Sequence, residues 1–319
     1  MLACANVDPA DLLMGPITMQ SLAWSIFGLV LLFGAIGIGF MIWQRRINHR
    51  PSRIETMAVL VLLSVLAGGF LGAFAWWPNY PDAFSWPLPG LAARMLAVAG
   101  WSFALAAAMA LMRPNPKHLR LVLLMLWVYL GPLTVAILTL HLNRFDFSRP
   151  VVPTFFIIVV VLLVSSSIAL LVLPRQDTVP DGSPNQLASS VLWIIAGVAG
   201  LWAVALFIKP DGPVPLIWSW PHDALTTRLI ASMFLTIAVG AYAARLSQRL
   251  SQTVFLTTLA YGIGVIVAGF AHVMTAKPSP TGYVSVTLPK SYMVVWGALG
   301  FLAIIAFVNS KWSEAQKLR

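Results

Sequence analysis

Nine stretches of about 20 apolar residues, the length that crosses the hydrocarbon core of a bilayer, recur along the chain at 18–43, 56–77, 90–112, 119–142, 151–173, 187–208, 224–244, 252–275 and 291–309. A chain that presents such runs again and again cannot hide them in one water-soluble core. Of its 319 residues, 59% are hydrophobic and 9% charged, whereas a soluble domain carries about 25% charged residues. A helix satisfies its own backbone polar groups and can therefore expose apolar side chains to lipid on every side. The sequence thus predicts an all-α polytopic membrane protein with about nine transmembrane helices.

The first apolar run, beginning near Ile17, is a full span rather than the shorter core of a cleavable signal. Cys4 is the single cysteine, which excludes an internal disulfide framework and a thiolate metal cluster. No apolar stretch precedes Leu2-Ala3-Cys4, so an ordinary cysteine in a short tail is expected rather than a lipid attachment point.

The net charge of +10 would suit nucleic acid if it were gathered on one face. It is spread along the chain instead. With the N-terminus outside, the inner segments hold Arg45, Arg46, Arg50, Arg53, Arg113, Lys117, Arg120, Arg175, Arg245, Arg249, Lys311, Lys317 and Arg319, thirteen in all; the outer ones hold five, Arg144, Arg149, Lys209, Lys277 and Lys290. Positive charge favours the cytoplasmic side, so the sequence predicts a bacterial-type inner-membrane protein with its N-terminus outside and its C-terminus cytoplasmic, and no nucleic-acid partner.

An internal repeat is visible. Ser85-Trp86-Pro87-Leu88-Pro89-Gly90-Leu91-Ala92-Ala93-Arg94 aligns without a gap with Ser219-Trp220-Pro221-His222-Asp223-Ala224-Leu225-Thr226-Thr227-Arg228. The expected organisation is an N-terminal tail, first span and basic loop (1–55), a four-helix unit (56–173), a Pro- and Gly-bearing linker (174–186), a second four-helix unit (187–309) and a tail (310–319). Two tandem units with an even number of spans enter the membrane in the same sense, so an axis along the membrane normal should relate them. Trp86 and Trp220 suit headgroup depth. Pro89 and Asp223 each suit a helix start, one by its fixed φ and the other as a cap.

Candidate site residues follow from this framework. Arg94 and Arg228, about one turn inside the outer boundary, can bind an anionic lipid head or a carboxylate, or can snorkel and anchor their helices. His141 and His272 stand near the outer ends of corresponding spans, where a bis-histidine haem or a bridged metal is conceivable, but their spacing is three residues shorter than that of the Trp-Pro motif and no carboxylate lies nearby to orient either ring. No metal site is predicted, and cofactors stay open. His49, His118 and His222 read as surface loop residues. Tyr129, Gly131 and Pro132 in one unit, and Tyr261, Gly262 and Gly264 in the other, interrupt or loosen their helices, as at transporter pathways. Close helix packing explains the same residues, and it explains Ser165-Ser166-Ser167 as well.

All ten acidic residues, Asp8, Asp11, Glu55, Asp82, Asp146, Asp177, Asp181, Asp211, Asp223 and Glu314, fall in loops, tails or helix ends. Proton relays depend on carboxylates at mid-membrane, so that class is disfavoured. Nor is there a nucleotide-binding loop, a hydrolase elbow or a zinc-protease motif. The sequence therefore points to a non-catalytic membrane subunit or scaffold that packs against partner proteins, lipids or pigments. The alternative is a carrier or channel for a neutral or weakly anionic small molecule, with its pathway at the repeat interface.

Overall fold

The computed structural model describes residues 19–47, 51–78, 85–86, 88, 90–112, 115–149, 151–174, 182–210, 224–275 and 290–317; Cys4, His49, Trp220 and His222 lie outside the described residues. Among the described residues the regular structure is entirely helical: α1 (Met19–Gln44), α2 (Arg53–Trp76), α3 (Gly90–Met112), α4 (Pro116–Ala136), α5 (Val151–Val172), α6 (Gln186–Ile208), α7 (Ala224–Ala244), α8 (Gln248–Thr275) and α9 (Lys290–Lys317). A π turn, Ile137–His141, and a 3-10 turn, Leu142–Arg144, prolong α4. Eight helices, α2 to α9, are long and apolar enough to cross a membrane; over α1 the described apolar run is Leu31–Gln44.

Local chemistry sets the helix starts. Ser52 accepts from Glu55 N–H, Asn115 from Lys117 N–H with Pro116 opening the helix behind it, Asn185 from Ala188 N–H and Ser247 from Leu250 N–H. Each cap satisfies a donor that the first turn would otherwise leave without a partner. Because successive helices alternate in direction, these four caps of α2, α4, α6 and α8 all lie at one end of the bundle, here the capped end. Three contacts gather that end: His118 Nε2 to Arg249 O at 3.3 Å, Gln248 Nε2 to Ser310 O at 3.1 Å, and Arg120 to Leu173 O at 2.7 Å.

The expected spans 90–112 and 224–244 coincide with α3 and α7. Some of the others outrun their apolar runs: α8 begins at Gln248, four residues before its apolar stretch, and α9 continues to Lys317. Backbone bonding does not stop where hydropathy falls.

α3 and α7 form the centre: 78% of the residues in the spanning part of each are buried, against 17% in α5. Their small side chains, notably Ala92, Ala93, Ala97, Ala106 and Ala110 on α3 and Ala231, Ala241 and Ala244 on α7, let neighbouring helices approach closely. α2 packs on α3 and α6 on α7; between the halves, α3 lies along α8 and α4 along α7.

One expectation is corrected. His118, read from sequence as a surface loop residue, is buried within the first turn of α4, where its ring meets the Arg249 carbonyl. The cap at Asn115 starts the helix before this residue, so the ring turns into the bundle rather than toward water.

Candidate functional site

The feature that stands out lies at the end opposite the caps, where each of the two matched arginines reaches across the bundle. Arg94, in the first turn of α3, places its NH1 3.1 Å from His272 Nδ1 and donates NH2 to Thr275 Oγ1 at 2.7 Å, both on α8. Arg228, in the first turn of α7, places its NH1 2.7 Å from His141 Nε2 in the π turn after α4 and donates Nε to Phe207 O at 3.3 Å on α6. Guanidinium has only donors. The facing imidazole nitrogen is therefore the acceptor in both pairs, which fixes His272 with its proton on Nε2 and His141 with its proton on Nδ1.

The crossing is a consequence of the packing. α3 runs beside α8 and α4 beside α7, so an arginine at the start of α3 or α7 meets the last turn of a helix from the other half. The pairs are not finished alike. Arg228 uses both Nε and NH1, whereas Arg94 Nε is buried with no acceptor among the described residues. His141 is buried and His272 is half-exposed.

Beside the Arg228–His141 pair, Trp86, expected from sequence at headgroup depth, is covered by protein. Its ring meets Phe145 and Phe155 edge to face, at 5.4 and 6.0 Å, and its Nε1 lies 3.5 Å from Thr226 Oγ1 on α7. The turn into α5 is closed by Asp146, which accepts from Ser148 Oγ at 2.6 Å and Ser148 N–H at 2.9 Å. Those bonds, the hydroxyl's first, hold its carboxyl below the usual aspartate value.

Of the residues considered for a pathway, Tyr261 and Gly262 are buried, and Tyr129, Gly131, Pro132 and Gly264 are partly buried. Tyr129 packs against Phe103 with tilted rings 5.2 Å apart, and the Tyr261 hydroxyl is 2.8 Å from that of Tyr292. Tyr261, Tyr292, Trp296, Phe234 and Trp202 form one aromatic cluster. A Cβ on Gly262 would strike the Trp296 carbonyl on α9, and one on Gly264 would strike the Val98 side chain on α3. These glycines are where helices touch. Gly131 faces only Trp127 of its own helix, one turn from Pro132, while the Trp127 indole donates to Ser167 Oγ at 3.0 Å.

Among the described residues, no group of three or more His, Cys, Asp and Glu side chains is placed to hold a metal ion. The accepting nitrogen of each candidate histidine is engaged by an arginine.

Some participants have no clear signal in the sequence. Thr275 and the Phe207 carbonyl could not be picked out as arginine acceptors, since nothing in a sequence marks a side-chain partner 181 residues away or a backbone carbonyl on the preceding helix. The recurrence of one Arg and one His after each Trp-Pro motif was the available clue, and pairing them crosswise would have used it. The buried Ser232, Thr236, Ser251, Gln252, Thr253, Thr257 and Thr258 on α7 and α8 were also passed over, because hydropathy averages conceal single hydroxyls.

No protein-family model matches the chain, and comparisons with curated proteins and with solved structures return no match.

Proposed function

We propose that this chain is a non-catalytic integral membrane subunit or scaffold, built from one N-terminal helix and two like-facing four-helix units, whose apolar perimeter packs against partner proteins, lipids or pigments. The observation that carries this reading is the filled seam between the units. Val98 stands against Gly264 and Met125 against Gly240, and the Tyr261–Trp296 aromatic cluster is packed beside them. A seam closed in this way suits a rigid body better than a permeation path.

The duplication draws support from residue spacing. Relative to Trp86 and Trp220, the caps Asn115 and Ser247 are two residues closer together, and Tyr129 and Tyr261 keep that cap spacing. His141 and His272 are one residue closer still, and the π turn, which accommodates one more residue than an α turn, falls between Tyr129 and His141. The greater length of α3, 23 residues against 21 in α7, and the π turn thus account for all three extra residues. Crosswise arginine–histidine bonding is what two related units sharing an axis would make.

The proposed orientation places the capped end in the cytoplasm and the arginine end outside. Cysteines introduced at Arg53 and Arg113 should be labelled from the same side; labelling from opposite sides would overturn it. A photoreactive residue at exposed Ile157 on α5 or Leu201 on α6 should give discrete protein adducts in native membranes. Adducts to lipid alone from both positions, together with solute uptake by proteoliposomes of the purified chain, would overturn the scaffold.

The second reading, a carrier for a neutral or weakly anionic solute, is favoured by polar atoms spaced along α8: among the described residues, Arg94 Nε, beside the end of that helix, and the hydroxyls of Thr253 and Thr258, in its first half, are buried without partners. Such groups are costly to leave unmade, and a bound polar solute would satisfy them. On this reading, replacing Arg94 and Arg228 together by Gln abolishes uptake of an anionic solute, and unchanged uptake by a folded protein removes the arginines from any mouth.

A further inference from the structure

Away from the arginine–histidine pairs, at the capped end, a cavity of about 300 Å³ opens between the halves, lined by Lys117, Arg120, Leu121 and Leu124 of α4, Leu170 of α5, Ala243 of α7 and Leu250 of α8. Its composition is split. Lys117 and Arg120, in the first turns of α4, supply two cations, and the remaining lining is hydrocarbon.

From this division we infer that the cavity is a binding site for an anionic phospholipid of the cytoplasmic leaflet, its phosphate between Lys117 and Arg120 and its acyl chain along Leu121, Leu124 and Leu170. The inference rests on the orientation proposed above, which puts this end in the leaflet where anionic lipids and basic segments meet. Several observations converge on it. From Lys117 to Leu124 is two helical turns, about 10 Å, so charge gives way to apolar surface in the direction that a lipid runs from headgroup into hydrocarbon. The cavity's volume is at the lower end for small-molecule pockets, suited to a headgroup and the first part of one acyl chain, with the rest of the lipid left to the bilayer. The capped N-termini of α4 and α8 border it, each adding the positive end of a helix dipole.

Arg120 also donates NH1 to Leu170 O at 2.6 Å and Leu173 O at 2.7 Å, at the C-terminal end of α5. Those bonds fix where its charge sits. Guanidinium carries five donors in a rigid plane, so one residue can close the end of α5 and present charge to a phosphate. A lipid here would bridge α4 and α5 of the first half to α7 and α8 of the second.

The test is lipid retention and thermal stabilisation of the detergent-purified chain, titrated with dioleoylphosphatidylglycerol, dioleoylphosphatidylcholine or glycerol phosphate. Detergent removes any dependence on sidedness, so failure here is a failure of the site and not of the proposed orientation. The expected result is preferential retention of phosphatidylglycerol, with apparent affinity reduced about five-fold by Lys117→Gln, the worth of one interfacial cation. Ala243→Trp, which fills the cavity and leaves the charges in place, should remove the preference, and Lys290→Gln at the opposite end should leave it intact. Should Ala243→Trp fail to fold, the Lys117→Gln titration decides by itself. Equal retention of the two phospholipids, an unchanged preference in Lys117→Gln, or competition by glycerol phosphate at lipid-like concentrations would overturn the proposal.

Discussion

The two arginine–histidine pairs use the same chemistry at corresponding places, yet one is complete and the other is not. Arg228 spends Nε on a backbone carbonyl and NH1 on a buried histidine. Arg94 spends NH1 on a half-exposed histidine and NH2 on a threonine, and leaves Nε buried without an acceptor. The contrast separates two tasks that a membrane-boundary arginine can perform. At Arg228 the surroundings are arranged to hold the cation; at Arg94 they leave one buried donor without an acceptor among the described residues.

Thermal and denaturant unfolding in detergent can break or sharpen this contrast. Arg228→Gln should cost the most, about 3 kcal/mol, because it removes a charge-assisted bond and leaves the His141 nitrogen buried without its donor. Arg94→Gln should cost about half as much, since it also removes a buried donor that had no acceptor. Equal losses would show that the missing acceptor at Arg94 has no energetic meaning. Thr275→Val should cost about 1 kcal/mol and should add little to Arg94→Gln in a double-mutant cycle, since both changes remove one bond. Deleting Leu138, which should turn the π turn into an α turn like the corresponding part of α8, should change stability least, by less than about 1 kcal/mol, the range of substitutions that leave packing in place. A loss as large as that of Arg228→Gln would mean that the π turn positions His141 and is not an accommodated extra residue.

The helices themselves were legible because hydrocarbon imposes a single rule, a run of apolar residues long enough to cross. The limits of α3 and α7 could be read to the residue, where Gly90 and Ala224 follow loop motifs and the apolar runs end sharply. The start of α8 could not, because Gln248, Ser251 and Gln252 read as polar yet are buried among helices. His118 failed for a related reason: its neighbours Lys117 and Arg120 suggest a wet loop, while the Asn115 cap has already begun the helix. Which residues matter at the site was visible in part, since Arg94, Arg228, His141 and His272 each drew attention. Their pairing was not, because periodicity tells which side of a helix faces inward and nothing about which helix it will meet. Trp86 shows the same limit. Its type suits a headgroup boundary, but the ring is covered by Phe145 and Phe155 from parts of the chain that no local pattern connects to it.

The crosswise bonding also has a consequence in time. Arg94 and His272 lie 178 residues apart in the chain, and at ordinary synthesis rates of about 5–20 residues per second the acceptor follows its donor by about 10–35 s. Throughout that interval Arg94 has been made and its α8 acceptors, His272 and Thr275, have not. Truncation anywhere before α8 makes the wait permanent.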